Sequence, residues 1–318
     1  MVNRQFVLAS RPVGMPKESD LRMVETPVPA LRDSEVLLRA LYLLVDPYMR
    51  GRMNAAKSYA PSVEIGELMV GGGVARVVDS KNPGYEVGDV VNLQMGWQEY
   101  AVSNGEGLRK IDPHVAPVST ALGVLGMPGL TAYFGLLEVC GVNAGETVVV
   151  SAAAGAVGSV VGQIAKIKGC RAVGIAGGPE KTRYVTEECG FDAALDYKAT
   201  TDYLGAIQEL CPGGVDVYFD NVGGATLNAM LPTLKSQGRI VACGMISDYN
   251  RSDAPYPITN LWQIVARQLT MQGFLLFTYD SLRPAARAQL AHWFVLASLR
   301  CWRTLLADWR ILRPPSAS

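Results

Sequence analysis

The stretch at residues 146–168, ETVVVSAAAGAVGSVVGQIAKIK, constrains this chain more than any other. The β-branched run Val148, Val149, Val150 reads as a strand. Small residues follow, and Gly155 and Gly158 then open a helical run carrying Val160, Val161, Ile164 and Ala165. Strand, tight turn and helix in that order form the unit that cradles a dinucleotide pyrophosphate. Backbone N–H groups must approach the phosphates, which excludes bulky side chains, and the helix N-terminus aims positive partial charge at the anion. The turn reads A-x-G-x-x-G, with Ala153 in place of the fingerprint's first glycine. Alone, this pattern leaves two readings open: a dinucleotide site, or a helix packed tightly on its sheet.

The surroundings favour the first. Strands are expected at 146–151, 172–176, 193–195, 215–221 and 239–245, with helices at 156–169, 179–189, 203–211 and 225–236 between them. Strand alternating with helix specifies an α/β, doubly wound parallel sheet. A helix at 128–139 leads into it; a further strand at 269–277 and a helix at 281–294 follow. Upstream, short strands at 21–24, 35–44, 73–78 and 89–93 are separated by Pro27, Pro29, Asp46-Pro47, Pro83-Gly84 and Gly88-Asp89. They indicate a small β domain, a partly open barrel. The division is a β domain over 1–122, a dinucleotide domain over 123–290 and an atypical tail over 291–318. The tail carries Trp302 and Trp309, is rich in arginine and ends in RPPSAS.

Composition narrows the function. Lys plus Arg is 29 and Asp plus Glu is 29, so there is no charge excess to track nucleic acid or an anionic membrane. The N-terminal apolar run is too short for a signal peptide, and no apolar stretch reaches a membrane span. The six cysteines show no C-x-x-C spacing and fit a reduced, cytoplasmic enzyme.

An NAD-selective site places an acid at the end of the second strand, on the ribose hydroxyls. Here that strand runs into Gly177 and Gly178, and Lys181 follows. Losing a carboxylate and gaining a cation suits the 2′-phosphate of NADP better than a solvated helix-start lysine, which opposes the helix dipole. Strand C-termini hold ligands in open α/β sheets. Asp220 or Asn221, in VDVYFDNVGG, could face the cofactor or simply cap the helix that follows. CGMISDY, residues 243–249, ends the next strand in the same way. The only histidines, His114 and His292, lack a metal-ligand cluster, and no G-x-S-x-G elbow is present.

Residues 127–170, VDPYMRGRM at 45–53, VGGGVARVV at 70–78, YFDNVGG at 218–224 and CGMISDYN at 243–250 occur in register. Together they resemble the zinc-free medium-chain dehydrogenase/reductases. More narrowly, they are similar to the prostaglandin reductase (leukotriene hydroxydehydrogenase) and alkenal double-bond reductase family. The resemblance runs from the N-terminus to about Trp293. It implies a GroES-like β domain, a Rossmann domain, a homodimer and NADPH-dependent reduction of the C=C bond of α,β-unsaturated ketones or aldehydes. It also implies that Gly155, Ala156, Val157 and Gly158 hold the pyrophosphate, and that Lys181 and Tyr197 line the adenosine phosphate. Asn221, then Cys243, Gly244, Met245, Ile246, Ser247 and Tyr249, and Phe274, Leu275 and Leu276 line the rest of the cofactor path. Tyr48 and Tyr59 border the substrate. Tyr249 is the candidate proton donor, with a purely structural place in the nicotinamide pocket as the alternative.

Two departures stand out. Many relatives carry a tyrosine where this chain has Ala266, which removes a carbonyl donor from that place. Relatives also continue past Trp293 with returning strands and an Asn-x-Gly-Lys stretch not seen here, so the tail resembles out-of-frame translation or an unusual natural ending. The leading function is enone or enal reduction. A quinone reductase and an NADPH-binding protein with impaired catalysis are the alternatives.

Overall fold

Short β-branched runs cut by prolines and glycines give the N-terminal region its strands. The computed structural model describes residues 1–300; the end of the tail, with Cys301, Trp302 and Trp309, lies outside the described residues. Two units form. The first holds Met1–Leu122 together with Tyr249–Ser252, and the second holds Gly123–Asp248 and the described residues from Asp253 onward.

In the first unit, β1 (Val2–Leu8) and β2 (Leu21–Pro27) make an antiparallel ribbon. β3 (Val36–Leu43), α1 (Tyr48–Arg52), β4 (Gly72–Ser80), β5 (Val90–Gln94), β6 (Tyr100–Ser103) and β7 (Arg109–Lys110) follow. The strands among them build an antiparallel sheet in the order β6-β3-β4-β5-β7. This is a GroES-like β domain. Val36, Leu38, Ala75, Val77 and Val91 form its core, and Leu8, Met49, Met53, Met69 and Trp97 seat α1. Gly71 and Gly73 of VGGGVARVV pack against side chains. A Cβ on Gly71 would lie 2.8 Å from the Trp97 ring, and one on Gly73 would lie 2.4 Å from Met95 Sδ. β1 was not foreseen because VNRQFVL has no clear period. Its Asn3 is buried and donates to Gln98 Oε1 and to the Tyr100 carbonyl.

The second unit contains α2 (Met127–Tyr133), β8 (Thr147–Ser151), α3 (Gly158–Ile167), β9 (Arg171–Ala176), α4 (Pro179–Arg183) and β10 (Ala193–Asp196). It continues with α5 (Tyr203–Leu210), β11 (Val215–Asp220), α6 (Gly224–Met230), β12 (Leu234–Ala242), α7 (Trp262–Ala266), β13 (Thr270–Gly273) and α8 (Arg283–Val295). The sheet order is β10-β9-β8-β11-β12-β13, all parallel. Parallel strands covered on both faces need unbroken apolar runs. Val148, Val149 and Val150 accordingly have no exposure; each such side chain contributes about 1.5–3 kcal/mol of burial free energy. The order reverses between β8 and β11, which is where open α/β sheets bind ligands.

Several boundaries differ from the sequence reading. The helix expected to reach 236 ends at Met230 and is followed by a 3₁₀ turn over Leu231–Thr233, and β12 starts at Leu234, with Gln237 at φ +64° inside it. The strand expected at 269–277 is only Thr270–Gly273; Leu276–Leu282 turns into a short 3₁₀ segment. Beyond α8 the chain returns to α3. The Arg300 N–H donates to Gln163 Oε1 at 2.6 Å, and Gln163 Nε2 donates to the Arg300 carbonyl at 3.1 Å. The amide of a buried glutamine is thus satisfied by the backbone of the start of the tail.

α3 lies close to its neighbours because Gly162 has no side chain. A Cβ there would fall 1.8 Å from the Phe191 ring. Gly162→Ala is expected to lower stability by about 1–3 kcal/mol through overpacking. A denaturant titration checks this, and an unchanged midpoint would contradict it.

Candidate active site

The glycine turn of the second unit is built by close backbone approach. Ala152 adopts φ +48° at the end of β8, and the Gly155 N–H donates to its carbonyl at 2.9 Å. A Cβ on Gly158 would lie 2.3 Å from the same carbonyl oxygen, so only glycine lets α3 start there. Ala153, at the fingerprint's first glycine, is fully buried. Its methyl fits because β9 carries Gly174 opposite, where a Cβ would stand 2.8 Å from that of Ala153. Among the described residues, the N–H groups of Ala156, Val157 and Gly158 have no hydrogen-bond acceptor, and Gly155 and Ala156 are exposed. Unsatisfied donors at the start of a ten-residue helix fit a phosphate group.

Asp220 organises the next wall. It is 1 % exposed, so it does not face a cofactor. Its Oδ1 accepts from the Val222 and Gly223 N–H groups, from Tyr218 Oη and from Ser151 Oγ, all at 2.8–3.1 Å. Burial pushes its carboxyl up, while those hydrogen bonds hold it down. Nor does Asp220 cap α6: the Val222 and Gly223 N–H groups it accepts from precede that helix, so the carboxylate closes the turn between β11 and α6. Asn221 is half-buried; its Nδ2 donates to the Ser151 carbonyl and its N–H to Ser151 Oγ, lacing β11 to β8. Ser151 carried no sequence signal beyond ending a strand.

The segment after β12 lies on that wall. The Cys243 and Gly244 N–H groups donate to the Asp220 carbonyl, that of Ile246 to Asn221 and that of Ser247 to Val222. Ser247 Oγ donates to the Val222 carbonyl at 2.7 Å. Met245 and Ile246 remain exposed. Burial pushes the Cys243 thiol up to about 12, so it is no nucleophile at neutral pH. Phe274, Leu275 and Leu276 are half-buried. The Phe274 ring meets Tyr279 edge-on and lies where a Cβ on Gly135 would fall. Ala266 is exposed on α7.

At the end of β9, Gly178 adopts φ +92° and precedes α4. The Tyr197 ring lies against Gly177, where a Cβ would come within 2.7 Å of it. Lys181 is exposed and has no ion-pair partner among the described residues. Asp196, beside Tyr197, accepts from the Gly178 and Lys198 N–H groups, which lower its pKa. The Gly177 backbone and the Tyr197 ring thus meet at this corner, and Lys181 stands exposed on α4, which follows it.

The tyrosines are in the other unit. Tyr48 opens α1, Tyr59 is 56 % exposed, and Tyr249 is half-buried in the short segment that belongs to the first unit. Burial raises the Tyr48 phenol, and the Asp46 carboxylate and Tyr59 add to this while Arg52 opposes it. Burial also raises Tyr59, with Tyr249 and Asp46 adding and Arg52 opposing. Both stay protonated, as hydrogen-bond donors must. Asp46 was read only as a turn residue. Its Oδ2 is buried without a hydrogen-bond partner, and burial pushes the carboxyl up to about 6. His114 and His292 are exposed, and among the described residues no group of three His, Cys, Asp or Glu is placed to hold a metal.

Two family descriptions match the chain: the N-terminal domain of oxidoreductase over residues 4–111, and zinc-binding dehydrogenase over residues 156–291. The NADPH-dependent curcumin reductase of Escherichia coli (strain K12) is 48 % identical over 278 residues, covering 86 % of this chain and 80 % of the relative. The NADP(+)-dependent 2-alkenal reductase of Nicotiana tabacum is 43 % identical over 288 residues, covering 89 % and 83 %. Among solved structures, CurA from Vibrio vulnificus in complex with NADPH superposes with a TM-score of 0.88 at 44 % identity, covering 93 % of this chain and 89 % of that one. With these identities over nearly its whole length, the chain belongs to the zinc-free, NADP-dependent reductases of the medium-chain dehydrogenase/reductase family.

Proposed function

We propose that this protein reduces the C=C bond of α,β-unsaturated ketones and aldehydes with NADPH. The observation that carries the reading is the donor-lined turn at Ala156, Val157 and Gly158 beside the acid-free end of β9, in a member of this reductase family. Their N–H groups receive the pyrophosphate. Lys181 and the Tyr197 hydroxyl receive the 2′-phosphate, where an acid would repel it. Asn221, the Cys243–Ser247 segment and Phe274–Leu276 line the remainder of the dinucleotide path.

When bound, NADPH supplies a hydride for the electron-poor β-carbon of the substrate. The chain's task is then the carbonyl oxygen, which gains negative charge as the double bond is lost. A phenol held beside that oxygen stabilises the charge by hydrogen bonding. Tyr48 and Tyr59 border the substrate, and Tyr249 is the proton donor of our reading. The raised phenol pKa values of Tyr48 and Tyr59 keep their protons in place at neutral pH.

The finer assignments are a cytoplasmic homodimer. Cys140, Cys170 and Cys211 are buried free thiols, as in a reducing compartment. No described helix is long and apolar enough to cross a membrane. β13 is an edge strand with every residue exposed, and α7, just before it in the chain, exposes Trp262 and Val265. An open edge with apolar neighbours suits pairing with a second copy. Light scattering on the purified protein should give twice the 34.1 kDa chain mass; a monomer would contradict the dimer.

A panel of enones, enals and quinones with NADPH or NADH tests the activity. Enones and enals should turn over fastest with NADPH, and chelators should have no effect. Faster quinone turnover would favour a quinone reductase, and tight NADPH binding without turnover an inactive binder. Lys181→Ala should raise the NADPH KM by roughly tenfold and leave the NADH KM unchanged, as expected for one charge-assisted contact. Asp46 sets a pH dependence. Its folded pKa is raised from 3.8 to about 6, so its stabilising neutral form is complete below the lower value and is lost as pH rises through the upper one. Asp46→Asn stays neutral throughout, so its stability gain should be absent near pH 4 and reach up to about 3 kcal/mol above pH 7. Melting curves at the two pH values check this, and a pH-independent difference would contradict it.

A further inference from the structure

Two of the stretches that carry the family resemblance, VDPYMRGRM and CGMISDYN, are joined by one side chain. Arg50, on α1, donates from Nε to Asn250 Oδ1 at 3.0 Å and from Nη1 to Asn54 Oδ1 at 2.6 Å. Its Nη2 donates to the Pro12 and Gly14 carbonyls at 3.1 and 3.0 Å. All four acceptors are neutral, and Arg50 has no ion-pair partner among the described residues. A guanidinium fork can serve acceptors on three chain segments at once, which a lysine ammonium cannot do with the same geometry. Taking a cation from water costs stability, and burial lowers the Arg50 pKa accordingly, while the Asp20 carboxylate nearby raises it.

The loop at Gly14 and Met15 closes on Asn250 from another side. Asn250 Nδ2 donates to Met15 Sδ at 3.3 Å, and a Cβ on Gly14 would lie 3.8 Å from the Asn250 carbonyl oxygen. Tyr249–Ser252 contains no helix or strand, yet belongs to the first unit. In a segment without a backbone ladder, side-chain contacts such as those of Asn250 help to set position. Asn250 adjoins Tyr249, and Tyr249 lies within electrostatic reach of Tyr59.

We infer that Arg50 is a positioning residue for the reaction: through Asn250 it pins Tyr249 to the helix that carries Tyr48. The functional consequence rests on the reading of Tyr249 as substrate-facing. The full-length enzyme serves for the test, with Arg50→Ala, Arg50→Lys, Asn250→Ala, the Arg50→Ala/Asn250→Ala double variant and Tyr249→Phe. Steady-state kinetics with a small enone, NADPH Kd by fluorescence and thermal melts are measured for each. Arg50→Ala and Asn250→Ala should each lower kcat/KM about ten- to hundredfold, as for a lost hydrogen bond to a charged group, with NADPH Kd changed less than about twofold. The double variant should be no worse than the weaker single, and Arg50→Lys should restore only part of the loss. Should Arg50→Ala not fold, Asn250→Ala and Arg50→Lys carry the comparison. Losses that multiply in the double variant, an equal loss of NADPH affinity, or wild-type kinetics in folded Asn250→Ala would overturn the inference. Tyr249→Phe separates the two ideas. Wild-type kinetics there, with Arg50 and Asn250 still coupled, removes the donor reading and leaves the anchor. An impaired Tyr249→Phe with uncoupled Arg50 and Asn250 does the reverse.

Discussion

The approach of α3 to the end of β8 governs the second unit. Gly158 sits where a methyl group would collide with the Ala152 carbonyl, and that contact fixes where the helix begins. Among the described residues, three backbone N–H groups are consequently left without acceptors at the reversal point of the sheet. Other features follow from it. Gly174 makes room for Ala153, Gly162 for Phe191, and the small residues of the turn keep the donors accessible.

Beyond the glycine turn, polar side chains replace regular secondary structure as the source of position. Asp220 gathers the loop after β11 and, through its carbonyl, the segment after β12. Ser151 and Asn221 tie the ends of β8 and β11 together. In the first unit Arg50 does comparable work for Asn250. Such networks are costly when broken, because each member is partly desolvated and its partners would be left unpaired. Asp46 contrasts with them: a buried carboxyl oxygen without a partner, close to the tyrosines, at a cost in stability that burial makes pH-dependent.

Much of this was legible in the sequence. The alternation of β-branched runs and helical stretches specified the parallel sheet, because strands buried on both faces are near-continuous apolar runs. Gly155, Gly158 and the acid-free Gly177-Gly178 corner pointed to the place we propose for a phosphate-rich ligand. The illegible parts share a cause. β1 has no period because Asn3 is satisfied by Gln98 and Tyr100, nearly a hundred residues away. β13 stops at Gly273, and Phe274 then packs toward Gly135 and Tyr279, a tertiary preference invisible in the apolar run 269–277. Asp220 looked equally like a ligand contact or a cap, and only the fold shows it buried and holding the turn between β11 and α6. The link between Arg50 and Asn250 spans two hundred positions and leaves no local pattern.

Isotope tracing tests the central claim most directly. NADPH carrying deuterium at the transferable C4 position is incubated with the enzyme and a small enone, and the product is analysed by NMR. The account predicts a saturated ketone with one deuterium at the former β-carbon and a solvent-derived hydrogen at the α-carbon. Deuterium on the carbonyl carbon of an allylic alcohol, or an unlabelled product, would contradict it.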